Sequence, residues 1–229
     1  MGNPRFHCFF EQSGTFKNEF KKLGYEAFDY DILDDFGETD YQRDLFKDIE
    51  NAYLNNGEET AFDNVLEGDQ IIAFFPCTRF EDQIVMGFTG SMMQQKTWSD
   101  ERKLEYDIEL HDGLHMLYVK ICQLALVCIR RKIPLIIENP KGTLHYLTRY
   151  WSLKPKIIDP DRTLRGDDFR KPTQYWFINR EPSNNLIFEA YYHNSDRKVV
   201  EYMKGGNVQK NRSMINPIYA NHFIREFII

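Results

Sequence analysis

The chain has 229 residues, of which 42% are hydrophobic and 28% charged, and 29 basic against 35 acidic side chains give a formal net charge of −6. This composition excludes disordered, collagen-like and coiled-coil proteins. The length is sufficient for one large domain with a buried core that needs no disulfide bonds.

The first part of the chain predicts strands that alternate with helices. Short, nearly continuous apolar runs are typical of buried parallel strands, and apolar residues at a 3.6 period indicate a helix with one buried face. Glycines and carboxylates mark the ends of these patterns. The predicted elements are a strand over 6–10, a turn over 11–14, a helix ending at Gly24, a strand over 26–31, a helix over 43–54 and a strand over 70–75.

The second part begins with a polar segment, 80–112, which is predicted to be irregular. Its length and its position directly after Cys77 favour a lid over a binding site. Regular patterns resume at Leu114. The predicted elements are a long helix from Leu114, a strand over 133–137, a helix over 142–151, strands over 156–158, 174–178, 186–190 and 198–203, and a closing helix over 217–228.

Strands that alternate with helices predict a doubly wound α/β fold with a parallel sheet, in which ligands bind beyond the carboxyl ends of the strands. Three predicted strands end in polar or reactive residues, at 11–14, at Pro76-Cys77 and at Glu138-Asn139-Pro140. We therefore expect these three strand ends to meet at one edge of the sheet.

The cysteines and histidines give no sign of a disulfide framework or a metal site. The four cysteines form no CxxC pair, so we expect a reducing, cytoplasmic compartment, with Cys8, Cys122 and Cys128 in the core. His111 and His115 are spaced i, i+4, as a metal pair can be, but the spacing places no third ligand. We expect no metal.

The sequence predicts neither a signal peptide nor a membrane span. No long apolar stretch follows a basic start, and the most apolar later segment, 121–129, is interrupted by Gln123. Charge is uneven: residues 26–69 carry fifteen acidic and two basic side chains, and residues 130–180 carry twelve basic and five acidic ones. A basic face could attract phosphates, although solvated surfaces explain such runs equally well.

Four runs of sequence resemble, in this order, motifs of the cytosine-5 DNA methyltransferases: CFFEQSGTFKNEFKKLGYEAFDYDI, IIAFFPCTRF, IIENP and RKPTQYWF. The sequence looks most like the short methylase-like proteins of phages and prophages. The resemblance implies a single Rossmann-like domain that uses S-adenosylmethionine. Residues 1–160 would form the cofactor-binding and catalytic core, residues 161–215 a reduced target-recognition region and residues 216–229 a closing helix.

The resemblance implies specific catalytic roles. Cys77 matches the nucleophile that adds to C6 of cytosine, which makes C5 able to attack the methyl group of S-adenosylmethionine. Glu138 matches the carboxyl group that hydrogen-bonds the base, donates a proton and stabilises charge on the ring. Pro76 would orient the thiol, and Asn139 would hold its loop. The target base would be flipped out of the DNA duplex.

The resemblance also implies a cofactor site. Gly14 would allow the backbone to approach the methionine part, and Asp31 would bind the ribose hydroxyls. Asp44 would lie near the adenine amine. The rivals for this last role are Asp34, Asp35 and Asp48. The implied cofactor-binding residues are Phe10, Glu11, Ser13, Gly14, Thr15, Phe16, Asp31, Ile32, Asp44, Leu45 and Phe75.

The later part of the chain departs from the family pattern. The arginines that flank the target base in the family have no clear counterpart, and residues 177–229 are shorter than the family's sequence-reading domain. DNA recognition could therefore need a separate specificity partner. The residues expected to contact DNA are Thr78, Arg79, Arg170, Lys171 and Thr173.

Two alternative functions stay open on the sequence. Addition of cysteine to C6 serves any pyrimidine, so RNA or a free nucleotide could be the substrate. The second alternative is a catalytically silent protein that binds nucleic acid or a partner. It is favoured because the family's glycine-rich turn is reduced here to Gly14, and it is disfavoured by the presence of Cys77 and Glu138. A separate group of basic and aromatic side chains near the end of the sequence could bind a single strand of nucleic acid, with the aromatic rings stacked on its bases. Its members are Tyr191, Tyr192, Lys198, Lys204, Lys210 and Arg212.

Overall fold

The computed structural model describes residues 3–187, 198–199 and 214–229, the pair 198–199 by its backbone. Its strands are β1 (Phe6–Phe9), β2 (Ala27–Asp31), β3 (Tyr41–Gln42), β4 (Gln70–Phe74), β5 (Leu135–Pro140), β6 (Ile157–Asp159), β7 (Phe169–Arg170), β8 (Thr173–Ile178) and β9 (Lys198–Val199). Its α-helices are α1 (Thr15–Lys22), α2 (Leu45–Leu54), α3 (Val85–Phe88), α4 (Asp100–Arg131), α5 (Tyr146–Tyr150) and α6 (Pro217–Phe223).

Shorter helical turns complete the list of elements. Four are 3₁₀ turns, and a π-helical turn continues α6 to the end of the chain. They are Ala61–Asn64, Asp82–Ile84, Met93–Thr97, Arg162–Arg165 and Ile224–Ile228.

Seven strands form one sheet in the order β3-β2-β1-β4-β5-β8-β6. The pairs from β3 to β5 are parallel, whereas β8 runs antiparallel to both β5 and β6. Strands β2 and β3 lie on one side of β1, and β4 and β5 lie on the other. The order therefore reverses between β1 and β4, which is the point where open α/β sheets bind ligands.

Helices cover both faces of the sheet. On one face α2 and α4 pack on a core that includes Phe9, Ile71 and Ile137. On the other face α1 and α6 pack on Phe6 and Ile72, which alternate with the first set along the same strands. The structure confirms the predicted α/β architecture with a mostly parallel sheet, which is compatible with a Rossmann-like fold.

The antiparallel direction of β8 differs from the predicted parallel sheet. All six residues of β8 are buried, as are the first five of β5. A strand buried on both faces has the same continuous apolar pattern in either direction, so the sequence carries no sign of its orientation.

The segment 80–112 is more regular than predicted. Helix α4 begins at Asp100, about four turns before Leu114, where the apolar period starts. Of its residues up to Met116, Leu110 alone is buried, so this part has no apolar stripe to detect. Its start is stabilised instead by Ser99, whose hydroxyl accepts a hydrogen bond from the Arg102 backbone N–H at 3.2 Å.

Short turns before α4 pack against that helix. A Cβ atom on Gly87 would lie 3.0 Å from Leu110, and one on Gly113 would lie 2.7 Å from the Arg79 side chain. Gly87 thus permits close contact between this segment and α4, and Gly113 permits close contact between α4 and Arg79. Helix α5, over Tyr146–Tyr150, is shorter than the predicted 142–151, and the described residues 186–187 of a further predicted strand have no regular structure.

Helix α4 is long and apolar enough in one window to cross a membrane, by length and composition alone. The core helix of a soluble protein passes the same test. Residues along the second half of α4 pack in the core on one face of the sheet. These residues are Leu117, Ile121, Leu124, Ala125, Val127 and Cys128.

Candidate active site

The carboxyl ends of four parallel strands lie at one edge of the sheet. Phe9 is level with Tyr30 and with Ala73, and Phe74 is level with Glu138. The residues that follow β1, β2 and β4 therefore lie at the same edge of the sheet as Glu138 on β5. The three polar strand ends predicted to meet do so, and Asp31 at the end of β2 joins them.

Glu11, in the turn after β1, caps the start of α1. Its carboxyl oxygens accept hydrogen bonds from the backbone N–H groups of Phe16 at 2.7 Å and Lys17 at 3.2 Å. Burial raises the pKa of Glu11 to about 7, although the two N–H groups oppose that rise. The amino end of α1 is thus already paired with a side chain of the protein.

Gly14 adopts φ +63°, a conformation that glycine reaches without strain. A Cβ atom here would lie 2.9 Å from Glu38 Oε2 and 3.1 Å from Asn18 Nδ2. The glycine therefore lets the turn approach the loop after β2. Ser13 and Thr15 share a hydrogen bond of 3.0 Å between their hydroxyl groups, and Phe16 is a core residue.

Asp31 is the last residue of β2. Its Oδ1 accepts a hydrogen bond from the Leu33 backbone N–H at 2.9 Å, and burial raises its pKa. The neighbouring Ile32 is 57% exposed. A half-buried carboxylate next to an exposed apolar side chain can hydrogen-bond hydroxyl groups and contact a flat apolar ring.

Asp44 is the N-cap of α2. Its Oδ1 accepts hydrogen bonds from the backbone N–H groups of Phe46 at 3.1 Å and Lys47 at 3.2 Å. Leu45 is 2% exposed and belongs to the core. The structure gives both residues a structural role, whereas their assignment to an adenine site stays a prediction.

Three aromatic rings meet between the ends of β1 and β4 and the start of α2. The ring centroids of Phe10 and Phe75 are 5.3 Å apart, and those of Phe10 and Phe46 are 5.4 Å apart. Phe10 has φ +59°, an uncommon value for a residue other than glycine. Phe46 was absent from the predicted site. The sequence could have indicated Phe46, because it directly follows the predicted site residues Asp44 and Leu45 near the start of a predicted helix.

Cys77 follows β4 after Pro76. Its thiol donates a hydrogen bond to Glu81 Oε1 at 3.0 Å. Burial and the Glu81 carboxylate raise the pKa of Cys77 above the ordinary value of a thiol. Glu138 acts in the same direction, and the positive charge of Lys171 opposes it. The sulfur is therefore protonated at neutral pH and lies within the electrostatic influence of all three side chains.

Asn139 joins the end of β5 to the end of β4. Its Nδ2 donates hydrogen bonds to the Phe75 carbonyl at 2.8 Å and to the Glu138 carbonyl at 2.7 Å. The Phe75 carbonyl directly precedes Pro76, so this contact fixes the backbone that carries the thiol.

Glu138 is 7% exposed, and among the described residues its Oε1 has no hydrogen-bond partner. The same holds for Asn139 Oδ1. Buried polar atoms of native proteins are nearly always paired, so each unpaired atom requires an explanation. A ligand with hydrogen-bonding groups would supply the missing partners.

His145 is a further residue of this region that the sequence analysis missed. It is 1% exposed, and its Nε2 has no partner within the described part of the chain, while Nδ1 lies 3.4 Å from Gln174 Nε2. Burial lowers the pKa of His145 to about 4, so the imidazole is neutral at pH 7. No pattern in the sequence marks this histidine as part of a site.

The residues expected to contact DNA are spread around the site. Lys171 is the one whose charge reaches the sulfur of Cys77. Arg79 packs along Gly113 of α4, Thr78 is exposed, and the Arg170 guanidinium lies 3.6 Å from Asp161. The buried Thr173 donates a hydrogen bond to the Lys171 carbonyl at 3.0 Å and thereby supports the backbone beside it.

The basic and aromatic group predicted to bind a single nucleic-acid strand lies outside the described residues, apart from the backbone of Lys198. Over the described ranges, no group of three or more His, Cys, Asp or Glu side chains is arranged to hold a metal ion. His111 contacts the ring of Phe88, with centroids 5.0 Å apart. No family model matches the sequence, and no curated protein matches it either.

Proposed function

We propose that the chain transfers a methyl group from S-adenosylmethionine to C5 of cytosine in DNA, through a covalent adduct between Cys77 and C6. One observation carries this proposal. The register of β4 and β5 brings a cysteine next to a buried glutamate with an unpaired oxygen, at the ligand-binding edge of a doubly wound sheet.

The residues at the ends of β1 and β2 fit the nucleoside part of the cofactor. Asp31 can accept hydrogen bonds from ribose hydroxyls, and Ile32 exposes an apolar surface beside it. An apolar aromatic surface lies at the end of the neighbouring strand β1 and is formed by the rings of Phe10, Phe46 and Phe75. When bound, the cofactor supplies an electrophilic methyl group.

The methionine part of the cofactor would lie at the turn after β1, where a side chain already caps helix α1. Glu11 already pairs the first N–H groups of α1, so that helix start does not offer them to a carboxylate. Above about pH 7, where Glu11 is ionised, its carboxylate can also attract the ammonium group of an amino acid. Gly14 keeps the turn close to the loop after β2.

Three residues of the chain would have separate roles in the reaction at the base. Asn139 fixes the carbonyl before Pro76, and this backbone aims the Cys77 sulfur. Glu138 holds its unpaired oxygen ready to hydrogen-bond the ring that develops charge when sulfur adds to it. Lys171 stabilises negative charge at the sulfur or on a phosphate.

The proposal is tested first by calorimetric titration with S-adenosylmethionine and S-adenosylhomocysteine, using wild type and Asp31→Ala. We expect binding that weakens about tenfold in the variant, which corresponds to roughly 1.4 kcal/mol. An absence of binding to the purified wild type would overturn the cofactor assignment and favour a binding protein built on this fold.

The second test is transfer of a labelled methyl group to cytosine-containing DNA, with RNA and mononucleotides as alternative substrates. We expect methylated cytosine in DNA, and loss of transfer by about 1,000-fold or more in Cys77→Ser because the weaker nucleophile cannot add to C6. Methylation of RNA or mononucleotides without methylation of DNA would keep the chemistry and change the substrate.

A further inference from the structure

We infer that Glu81 is the proton acceptor for Cys77: it holds the S–H group in the resting protein and takes its proton when the sulfur bonds to carbon. The two groups are already joined by a hydrogen bond of 3.0 Å from Sγ to Oε1. The inference rests on the proposed function for the identity of the carbon atom, but the pairing itself does not.

The local backbone fixes this pair. The Cys77 carbonyl accepts hydrogen bonds from the N–H groups of Phe80 at 2.7 Å and Glu81 at 3.2 Å. A tight turn therefore carries the carboxylate back over the thiol, four residues further along the chain. Asp82 anchors the same turn from the other side, since its Oδ1 accepts a hydrogen bond from the Leu144 N–H at 3.1 Å.

The chemistry requires such an acceptor. A thiolate is the nucleophilic form of cysteine, yet the pKa of Cys77 is raised, so the thiolate is scarce at neutral pH. Lys171 is the cation whose charge acts on this sulfur, and it is opposed there by Glu81 and Glu138. A proton that leaves only as the new bond forms avoids a free thiolate between two carboxylates.

The sulfur forms a bond to the electrophilic carbon with its own electron pair, the S–H bond breaks, and the proton passes to Glu81 Oε1. The electrons displaced from the carbon–carbon double bond move onto the acceptor molecule. In the proposed reaction that acceptor is the ring beside Glu138.

Acrylamide tests the pair without cofactor or DNA, because a thiol adds across its activated double bond in the same way. The rate of Cys77 modification is measured by peptide mass spectrometry from pH 5 to pH 10, in wild type and Glu81→Gln. At pH 6 we expect the variant to react at least about tenfold more slowly, because general-base assistance is lost.

At pH 10 we expect Glu81→Gln to react as fast as wild type or faster, because loss of the carboxylate charge lowers the pKa of the thiol. The two pH profiles therefore cross. Parallel profiles, or equal rates at pH 6, would overturn the inference. The wild-type profile alone also tests the inference, which matters if the variant fails to fold. A wild-type rate that rises tenfold per pH unit over the whole range would show reaction through the free thiolate without help from a carboxylate, and would overturn the inference.

Asp82→Asn is the matched control. It removes a negative charge from the same region but keeps an amide oxygen that can still accept the hydrogen bond from the Leu144 N–H, so the turn stays anchored and we expect the profile to follow wild type. Methyl transfer then separates the two proposals: loss of transfer in Glu81→Gln with intact cofactor binding supports both. Crossing acrylamide profiles in a protein that binds no S-adenosylmethionine support the proton acceptor and reject the methyltransferase.

Discussion

The two halves of the candidate site differ in how their polar groups are paired. On the β1 and β2 side, Glu11, Asp31 and Asp44 all accept hydrogen bonds from backbone N–H groups of the chain. On the β5 side, Glu138 and His145 each leave a buried polar atom without a partner among the described residues.

This difference separates residues that stabilise the folded protein from residues that do not. Carboxylates that pair helix and turn N–H groups stabilise the structure whether or not a ligand binds. Buried unpaired atoms cost free energy in the empty protein and gain a partner when a ligand arrives. Under the proposed function, the β5 side is therefore the half of the site whose polar groups a ligand would complete.

Among the changes that test this comparison, the largest effect is expected for Glu138→Gln, which keeps the shape of the side chain and removes its charge. Methyl transfer should fall by about 100- to 1,000-fold, as when a group that stabilises transition-state charge is lost. The free energy of unfolding should not fall, because Oε1 makes no hydrogen bond within the described residues. Single-turnover kinetics and denaturant unfolding measure the two quantities. A loss of stability that parallels the loss of activity would contradict the comparison.

Glu11→Gln should change the pH dependence of stability. The folded protein keeps a proton on Glu11 up to about pH 7, whereas the unfolded chain releases it near pH 4.5. Between these values the folded state binds more protons, so the free energy of unfolding falls as the pH rises. This contribution is worth roughly 3 kcal/mol.

The measurement is denaturant unfolding of both proteins at pH 5 and pH 8. Wild type should lose more stability between the two values than Glu11→Gln, by roughly 3 kcal/mol or somewhat less. The difference between the proteins isolates Glu11 from groups such as His145, whose lowered pKa acts in the opposite direction. Identical pH profiles would mean that Glu11 is not buried as described.

The smallest effect is expected at the start of α2. Asp44→Ala should lower the free energy of unfolding by about 1 kcal/mol, because two backbone N–H groups lose their acceptor. Asp44→Asn should keep most of that stability, since asparagine caps helices equally well. Calorimetry should show a smaller loss of cofactor affinity in Asp44→Ala than in Asp31→Ala. A larger loss would return Asp44 to the centre of the adenine site.

Much of the fold followed from local patterns. The apolar runs of β1, β2, β4 and β5 and the amphipathic helices α1 and α2 are confirmed to within a few residues. The start of α4 was missed because its first turns bury almost nothing and are stabilised by polar contacts at the helix surface. Side chains that stay in solvent leave no apolar period.

The polar strand ends of the site were also visible in the sequence, since residues that follow parallel strands gather at one edge. The roles of Glu81 and His145 were not. Glu81 depends on the path of a turn, and His145 depends on burial against Phe80 and Gln174. Neither property is encoded in the spacing of residue types.

The sequence by itself determined the alternation of strands and helices and the reactive residues at three strand ends, because both follow from local periodicity and chain direction. Tertiary structure alone decided the direction of β8, the pairing of Cys77 with Glu81 and the unpaired oxygen of Glu138. Burial and strand direction depend on which distant segments meet, and the contact between Cys77 and Glu81 depends on the path of a turn. Patterns of residue types along the sequence record neither.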